Sequence, residues 1–211
     1  SASKSAREKL GFEVWENIER GWFFLDFNEG AFFKRFIKYC FSKYSLIKLF
    51  IFGGEKELII KEENIFHDYE DASWEIFTNQ FDFCVLKTHD YLNWRIKVTK
   101  ENLKVIKAFK DEQPLGYIIY NIKNNRFDIV DFTFVDNVVC KEMLSFLVKL
   151  GRKQNLNAIT IRLNASHRYK SLFQQLGFLR FIKTQSYKIY PSTYKDFRSW
   201  NTHLTPLDRN E

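Results

Sequence analysis

Arg126-Phe-Asp-Ile-Val-Asp-Phe-Thr-Phe-Val135 opens a stretch that runs through Asp136-Asn-Val-Val-Cys-Lys141 to Gln154, and on through Ala158-Ile-Thr-Ile-Arg-Leu163 to Tyr190. The first segment is rich in aromatic and β-branched side chains, which suit a buried pleated surface, and predicts a strand. From Lys141 to Gln154, Met143, Leu144, Leu147, Val148 and Leu150 recur at helical spacing, with Gly151 near the end. Residues 158–163 predict a second strand. Ser166 is placed to cap a short helix with the stripe Tyr169, Leu172, Phe173 and Leu176, and Gly177 can take the left-handed conformation that stops it. Phe178 re-enters the core before a last strand-like run from Phe181 to Tyr190. A strand, a crossover helix and a second strand imply neighbouring, largely parallel pairing with right-handed connections.

That order, ending in Leu176-Gly177-Phe178, resembles the acetyl-coenzyme A-binding half of the Gcn5-related N-acetyltransferase superfamily over about residues 81–191. Thr88-His-Asp-Tyr-Leu-Asn-Trp-Arg95 is similar to a segment that leads into the acetyltransferase sheet of two-module chains in one branch of that superfamily. The resemblance implies an α/β (mixed α+β) class, with a central mixed sheet flanked by helices. It also implies an activity: transfer of an acetyl group from acetyl-CoA to a small-molecule amine.

In the superfamily the pantetheine arm lies along a splayed fourth strand, here Phe127–Val135. The pyrophosphate rests on amides at the start of the next helix, where unpaired N–H groups and the helix dipole attract anions. The expected cofactor-binding residues are therefore Phe134, Val135, Asp136, Asn137, Val138, Val139, Cys140 and Lys141, with Asn164 ordering the arm. The family's Gln/Arg-x-x-Gly-x-Gly/Ala signature is absent, and no glycine lies between Phe127 and Leu150; Lys141 is the compensating charge. The acid that protonates the thiolate is often a Tyr at the position of Phe173, so Tyr169, one turn earlier, is the candidate, with Ser171 beside it.

Asp131 lies in the fourth strand, where the resemblance implies a carboxylate base, and is the candidate for that role. On a regular strand Asp128 and Asp131 face opposite ways, so only one can point at substrate. A carboxylate buried among apolar neighbours suits a base, and one paired with a Lys or Arg of a neighbouring strand suits a structural role; both readings stand. Arg95 and Asn93 are the substrate-binding candidates, Arg95 for an acidic group and Asn93 also as a turn or capping residue. Trp94 is read as core. His89 titrates near neutrality and His167 can approach phosphates, but each is equally explained by an ordinary structural position.

Composition bounds the rest. At 211 residues, 45% hydrophobic and 18% aromatic, the chain can bury a sizeable core and lies far from disorder. Twenty-three phenylalanines against eight glycines and one methionine predict an aromatic-dominated core. The best candidate for an apolar span, 46–52, is seven residues long, contains Lys48 and predicts a buried strand rather than a membrane span. The N-terminus lacks an apolar leader, so a cytoplasmic protein is expected. Cys40, Cys84 and Cys140 sit beside apolar residues and read as free buried thiols, and no Cys/His spacing suits a metal. The net charge of +7 is partly local, since residues 31–50 hold five lysines and arginines and no acid. Such a stripe suits nucleic acid, acidic lipid or a phosphate-rich ligand; the solvated face of a helix from 31 to about 42 is preferred, and nucleic acid is not the expected partner.

Leu10-Gly11-Phe12 repeats Leu176-Gly177-Phe178, and two strand-like runs follow it, split at Arg20-Gly21. Residues 1–27 therefore read as the last helix and hairpin of a preceding acetyltransferase-like module. Residues 28–80 read as a connecting region with strand pieces at 46–52 and 57–61 and a helix from 68 to about 80, turned inward by Trp74 and Phe77. Residues 81–191 form the acetyltransferase-like domain, with 81–95 leading into a hairpin around Asp111-Glu-Gln-Pro114, and 192–211 a polar tail. A homodimer is the other partnership compatible with this organisation. Two further function classes stay open: a catalytically silent module of the same fold that serves a partner, and a nucleic-acid-binding protein.

Overall fold

The computed structural model describes residues 13–25, 40, 43–44, 46–47, 58–81, 83–85, 87–99, 101–164, 167–189 and 202–203. In chain order the elements are β1 (Glu13–Phe24), β2 (Ile59–Glu62), α1 (Asp71–Thr78), β3 (Phe83–Cys84), α2 (His89–Val98), β4 (Lys104–Lys110), β5 (Gln113–Lys123) and β6 (Arg126–Phe134). They continue with α3 (Asn137–Lys153), β7 (Ala158–Asn164), α4 (Lys170–Gln175), β8 (Leu179–Ile189) and β9 (Thr202–His203). Seven strands form one mixed sheet in the order β2-β4-β5-β6-β7-β1-β8. Within this sheet, among the described residues, only β6 and β7 pair parallel, joined by the amphipathic α3 as the strand–helix–strand pattern predicts.

The two hairpins β4–β5 and β5–β6 turn on Asp111-Glu112 and Asn124-Asn125, all four with positive φ between 48° and 66°. That conformation matches the right-handed twist of the flanking strands, and Asn and Asp tolerate it best. Gly177, at φ 100°, ends the α4 segment as expected. The core is aromatic: Phe23, Phe77, Phe127, Phe132, Phe134, Phe173 and Phe178 are at most 1% exposed. Each such burial is worth about 1.5–3 kcal/mol against the unfolded chain.

Several expectations change. Residues 13–24 make one continuous strand, not two, and it lies inside this sheet between β7 and β8, antiparallel to both. That location suits its composition, since Ile18, Phe23 and Phe24 are all buried. The sheet also takes in β2, from the stretch read as a connector, through antiparallel pairing with β4. Residues 46–47 are helical rather than extended; the helix expected at 31–42 and the remainder of 48–57 lie outside the described residues, residue 40 excepted. Residues 89–98 form a helix, capped by Thr88, whose side chain accepts from Tyr91 N, so the Tyr-Leu-Asn-Trp-Arg segment leading into the sheet is helical. Within the expected tail, residues 202–203 pair with β3. Cys140 is buried and Cys84 half-buried, but Cys40 is exposed.

Candidate active site

β6 and β7 pair from Arg126↔Ala158 to Ile129↔Ile161 and then part. At the same point β6 carries a bulge: Tyr120 faces Ile129 and Ile119 faces Asp131, leaving Val130 extra. An inserted residue bends its strand and shifts the alternation by one. The bulge corrects the expectation for the two aspartates. Asp128 pairs with Asn121 and Asp131 with Ile119, which are two apart on β5, so both carboxylates point to one face.

Neither carboxylate is uncommitted. Asp131 Oδ1 takes the Lys87 ammonium at 2.7 Å and Oδ2 accepts from Tyr117 Oη at 3.0 Å. Lys87 and Asp131 have no exposed side-chain surface, and Lys87 also lies over the Trp74 ring. Asp128 accepts from Thr160 Oγ1 at 2.6 Å and from Arg162 at 3.1 Å. Both carboxylates are thus ion-paired, Asp128 with Arg162 of the neighbouring β7 and Asp131 with Lys87, which precedes α2 and lies on no strand. A second buried pair stands nearby: Lys107 Nζ lies 2.6 and 2.8 Å from the two Glu70 oxygens and donates to the Ile65 carbonyl. A small cavity between the two pairs is lined by Trp74, Lys87, Lys107, Tyr117 and Glu70. Sequence reasoning passed over both lysines. Lys107 gave a signal, as a single charge inside the apolar run Val105–Phe109 that only a buried partner can satisfy.

Beyond the fork the strands are bridged by rings of Phe77, Phe81, Phe132, Phe134, His167 and Tyr169. Tyr169 is buried, and its hydroxyl donates to Gln80 Oε1 at 2.7 Å and approaches the Phe134 carbonyl at 3.5 Å. Burial pushes its pKa up to about 12, so at neutral pH it holds its proton. Gln80 Nε2 in turn reaches the Val135 carbonyl at 3.5 Å. Thr133, on the Asp131 face by its pairing with Tyr117, has a buried hydroxyl with no partner among the described residues. Phe173 is fully buried. His167 is buried among these rings rather than solvated, and Tyr169 N donates to its Nδ1. Asn164 ends β7 and is fully buried.

Asp136 caps α3, its Oδ1 accepting from Val139 N at 2.8 Å. Val139 and Cys140 are buried, Asp136 and Asn137 exposed, Val135, Val138 and Lys141 half-buried. Burial raises the Cys140 thiol well above its usual pKa, so it is not a thiolate nucleophile. Of the substrate-binding candidates, Asn93 is spent on structure: its amide both donates to the Phe66 carbonyl and accepts from Phe66 N, each at 2.8 Å. Arg95 lies half-buried on α2. Trp94, read as core, is 53% exposed. His89 pairs with Asp71 at 2.9 Å, tying α2 to α1, and that bond raises its pKa. Among the described residues no group of His, Cys, Asp and Glu could hold a metal, and no helix is long and apolar enough to cross a membrane.

An acyl-pantetheine arm would lie where β6 and β7 part, a place now filled by the buried rings of Phe132, Phe134 and Tyr169. The arm must take the Phe134 and Val135 carbonyls from Tyr169 and Gln80, two hydrogen bonds each worth about 0.5–1.5 kcal/mol net. The pyrophosphate fits poorly, because the Asp136 carboxylate already fills the anion-attracting helix start and leaves the amides of Asn137 and Val138.

No protein-family model matches the sequence, and no curated protein does. Solved structures share the fold. A Gcn5-related N-acetyltransferase from Anabaena variabilis superposes with a TM-score of 0.52 at 10% identity, over 78% of this chain and 38% of that one. One from Kribbella flavida gives 0.51 at 10% identity, over 89% and 40%. A conserved protein of unknown function from Staphylococcus epidermidis gives 0.50 at 13% identity, over 89% and 65%. This chain thus spans less than two thirds of each. The fold is that of the acetyltransferases, with a mixed sheet flanked by helices.

Proposed function

We propose that this acetyltransferase-fold chain acts in acyl transfer, moving an acetyl group from acetyl-CoA to an amine at the fork between β6 and β7. The observation that carries the reading is the parting of the two parallel strands at the Val130 bulge. A bound thioester would supply an activated acyl carbon. The chain's own contribution is positional and electrostatic. The Thr133 hydroxyl, next along β6 on the Asp131 face, is a buried donor that would meet a developing oxyanion, and the Lys87–Asp131–Tyr117 set holds the adjoining bend. Asp131, with both oxygens engaged, acts here as a positioning residue. Asn164 and Lys141 are assigned to the arm and the phosphates.

The test is release of free thiol from acetyl-CoA against a panel of amino sugars, polyamines and peptides. Amine-dependent release that falls at least tenfold in Thr133→Val supports the reading. Absence of release with every acceptor removes catalysis. A second reading, a silent module that binds a partner, is favoured by Asp136 at the phosphate position and by Tyr169 and Gln80 on the β6 carbonyls.

Residues 1–27 belong, in this proposal, to a preceding acetyltransferase-like module, as the Leu-Gly-Phe echo suggests. The seating of β1 between β7 and β8 would then be a strand lent by one module to the sheet of the next. Three free cysteines suit a reducing cytoplasm.

A further inference from the structure

Three arginines gather on the Asp131 face of the sheet, at the closed end of the fork. Arg20 of β1 stands directly opposite Arg162 of β7, and Trp22 opposite Thr160. Like charges facing each other across an antiparallel pair are destabilising unless something of opposite sign lies between them. Arg126 of β6 starts level with Ala158, whose small side chain lets the guanidinium cross β7 and stack on the Trp22 ring at 4.9 Å from its centre. Among the described residues the carboxylate that answers these charges is Asp128, which accepts from Arg162 and from Thr160.

The donors are not used up. The Nε atoms of Arg20, Arg126 and Arg162 are all buried and have no hydrogen-bond partner among the described residues. Burial, and then the charges of Arg162 and Arg126 working against Asp128, hold the Arg20 guanidinium below its ordinary pKa. The Arg162 side chain keeps 16% of its surface in contact with solvent, so the group can be reached. Arg162 is also the first residue of β7 after its last pairing with β6, which sets the cluster against the fork.

We propose that Arg20, Arg126 and Arg162 form an oxyanion site, with Thr160 and Asp128 as its orienting base, that takes a phosphate monoester on the acceptor. Among the described residues, three guanidinium groups against the Asp128 carboxylate leave a net charge of +2, which a phosphate dianion matches and a single carboxylate does not. Guanidinium forks also suit the paired oxygens of phosphate. That the phosphate belongs to the acceptor rests on the acyl-transfer reading; that the site binds phosphate does not.

The experiment titrates inorganic phosphate into the full chain without any acyl donor, at ionic strength held constant with sodium chloride, and follows binding calorimetrically. Saturable binding is expected, at least tenfold weaker in Arg162→Gln and in Arg20→Gln. Asp128→Asn, which removes an opposing charge and leaves the Thr160 contact available, is expected to bind severalfold tighter, a gain that misfolding cannot imitate. Acetate is expected to bind at least tenfold more weakly than phosphate. The site is overturned if wild type shows no heat beyond the chloride control, or if the arginine variants match wild type. Equal binding of acetate overturns the phosphate assignment. Phosphate binding without thiol release in the acyl-transfer assay leaves the site standing and removes the acceptor role.

Discussion

Lys87 Nζ lies 2.7 Å from Asp131 Oδ1, and neither side chain has any exposed surface. The bond joins the segment between α1 and α2 to the central strand at its bulge, 44 residues further on. Two charges withdrawn from water repay their desolvation only while both are present, so the loss of one partner is far costlier than the loss of both. Lys87→Met is expected to destabilise the fold by about 3–5 kcal/mol in urea denaturation. Lys87→Met with Asp131→Leu is expected to recover most of that loss. Equal losses in the single and double variants would show that the pair does not hold the bulge.

Asp136 serves the helix at the expense of a phosphate. Serine caps as well as aspartate, so Asp136→Ser is expected to keep stability within about 0.5 kcal/mol. Removing a negative charge from a helix start is worth about 0.3–1 kcal/mol to an incoming anion, and acetyl-CoA should bind about two- to fivefold tighter to the variant. Calorimetry on the two proteins checks it.

The His89–Asp71 bond gives α1 and α2 a pH-dependent tie. The bond raises the folded-state pKa above the ordinary 6.5. The protonated form is thus favoured by folding, so its contribution is complete below about pH 6.5 and is lost as pH rises through the higher folded value. The difference in melting temperature between wild type and His89→Asn should be largest near pH 6 and shrink at alkaline pH. A difference that grows with pH would contradict this.

Gly21, Gly116 and Gly151 mark close approaches, and the first two contrast in what gives way. A methyl at Gly21 would sit 2.6 Å from the Phe181 ring, which can turn, whereas one at Gly116 would meet the Thr133 carbonyl of the neighbouring strand, which cannot. Gly116→Ala is expected to destabilise by about 1–3 kcal/mol, and Gly21→Ala by less, in the same denaturation assay.

Much of the fold could be read from local pattern. The helical spacing of Met143, Leu144, Leu147 and Val148 and the flanking β-branched runs give β6-α3-β7 directly, and all four side chains are buried. What escaped was non-local. The place of β1 between β7 and β8 depends on partners more than 130 residues away, and no residue in 13–24 announces it. The Tyr-Leu-Asn-Trp-Arg segment was read by resemblance, while its Thr88 cap and the bonding of Asn93 to Phe66 make it a helix. The bulge at Val130 was likewise invisible, and one extra residue is enough to bring Asp128 and Asp131 to the same face. The glycine-free loop was legible, and its consequence, an acid in the anion position, follows from the capping preference of Asp136.

Isothermal titration of acetyl-CoA into the full chain tests the fork as a donor site most directly, with Asn164→Ala, Lys141→Ala as the paired variant. Saturable binding that weakens in the variant is predicted. No heat at millimolar acetyl-CoA would contradict the account and leave the aromatic-filled fork as part of a partner-binding module.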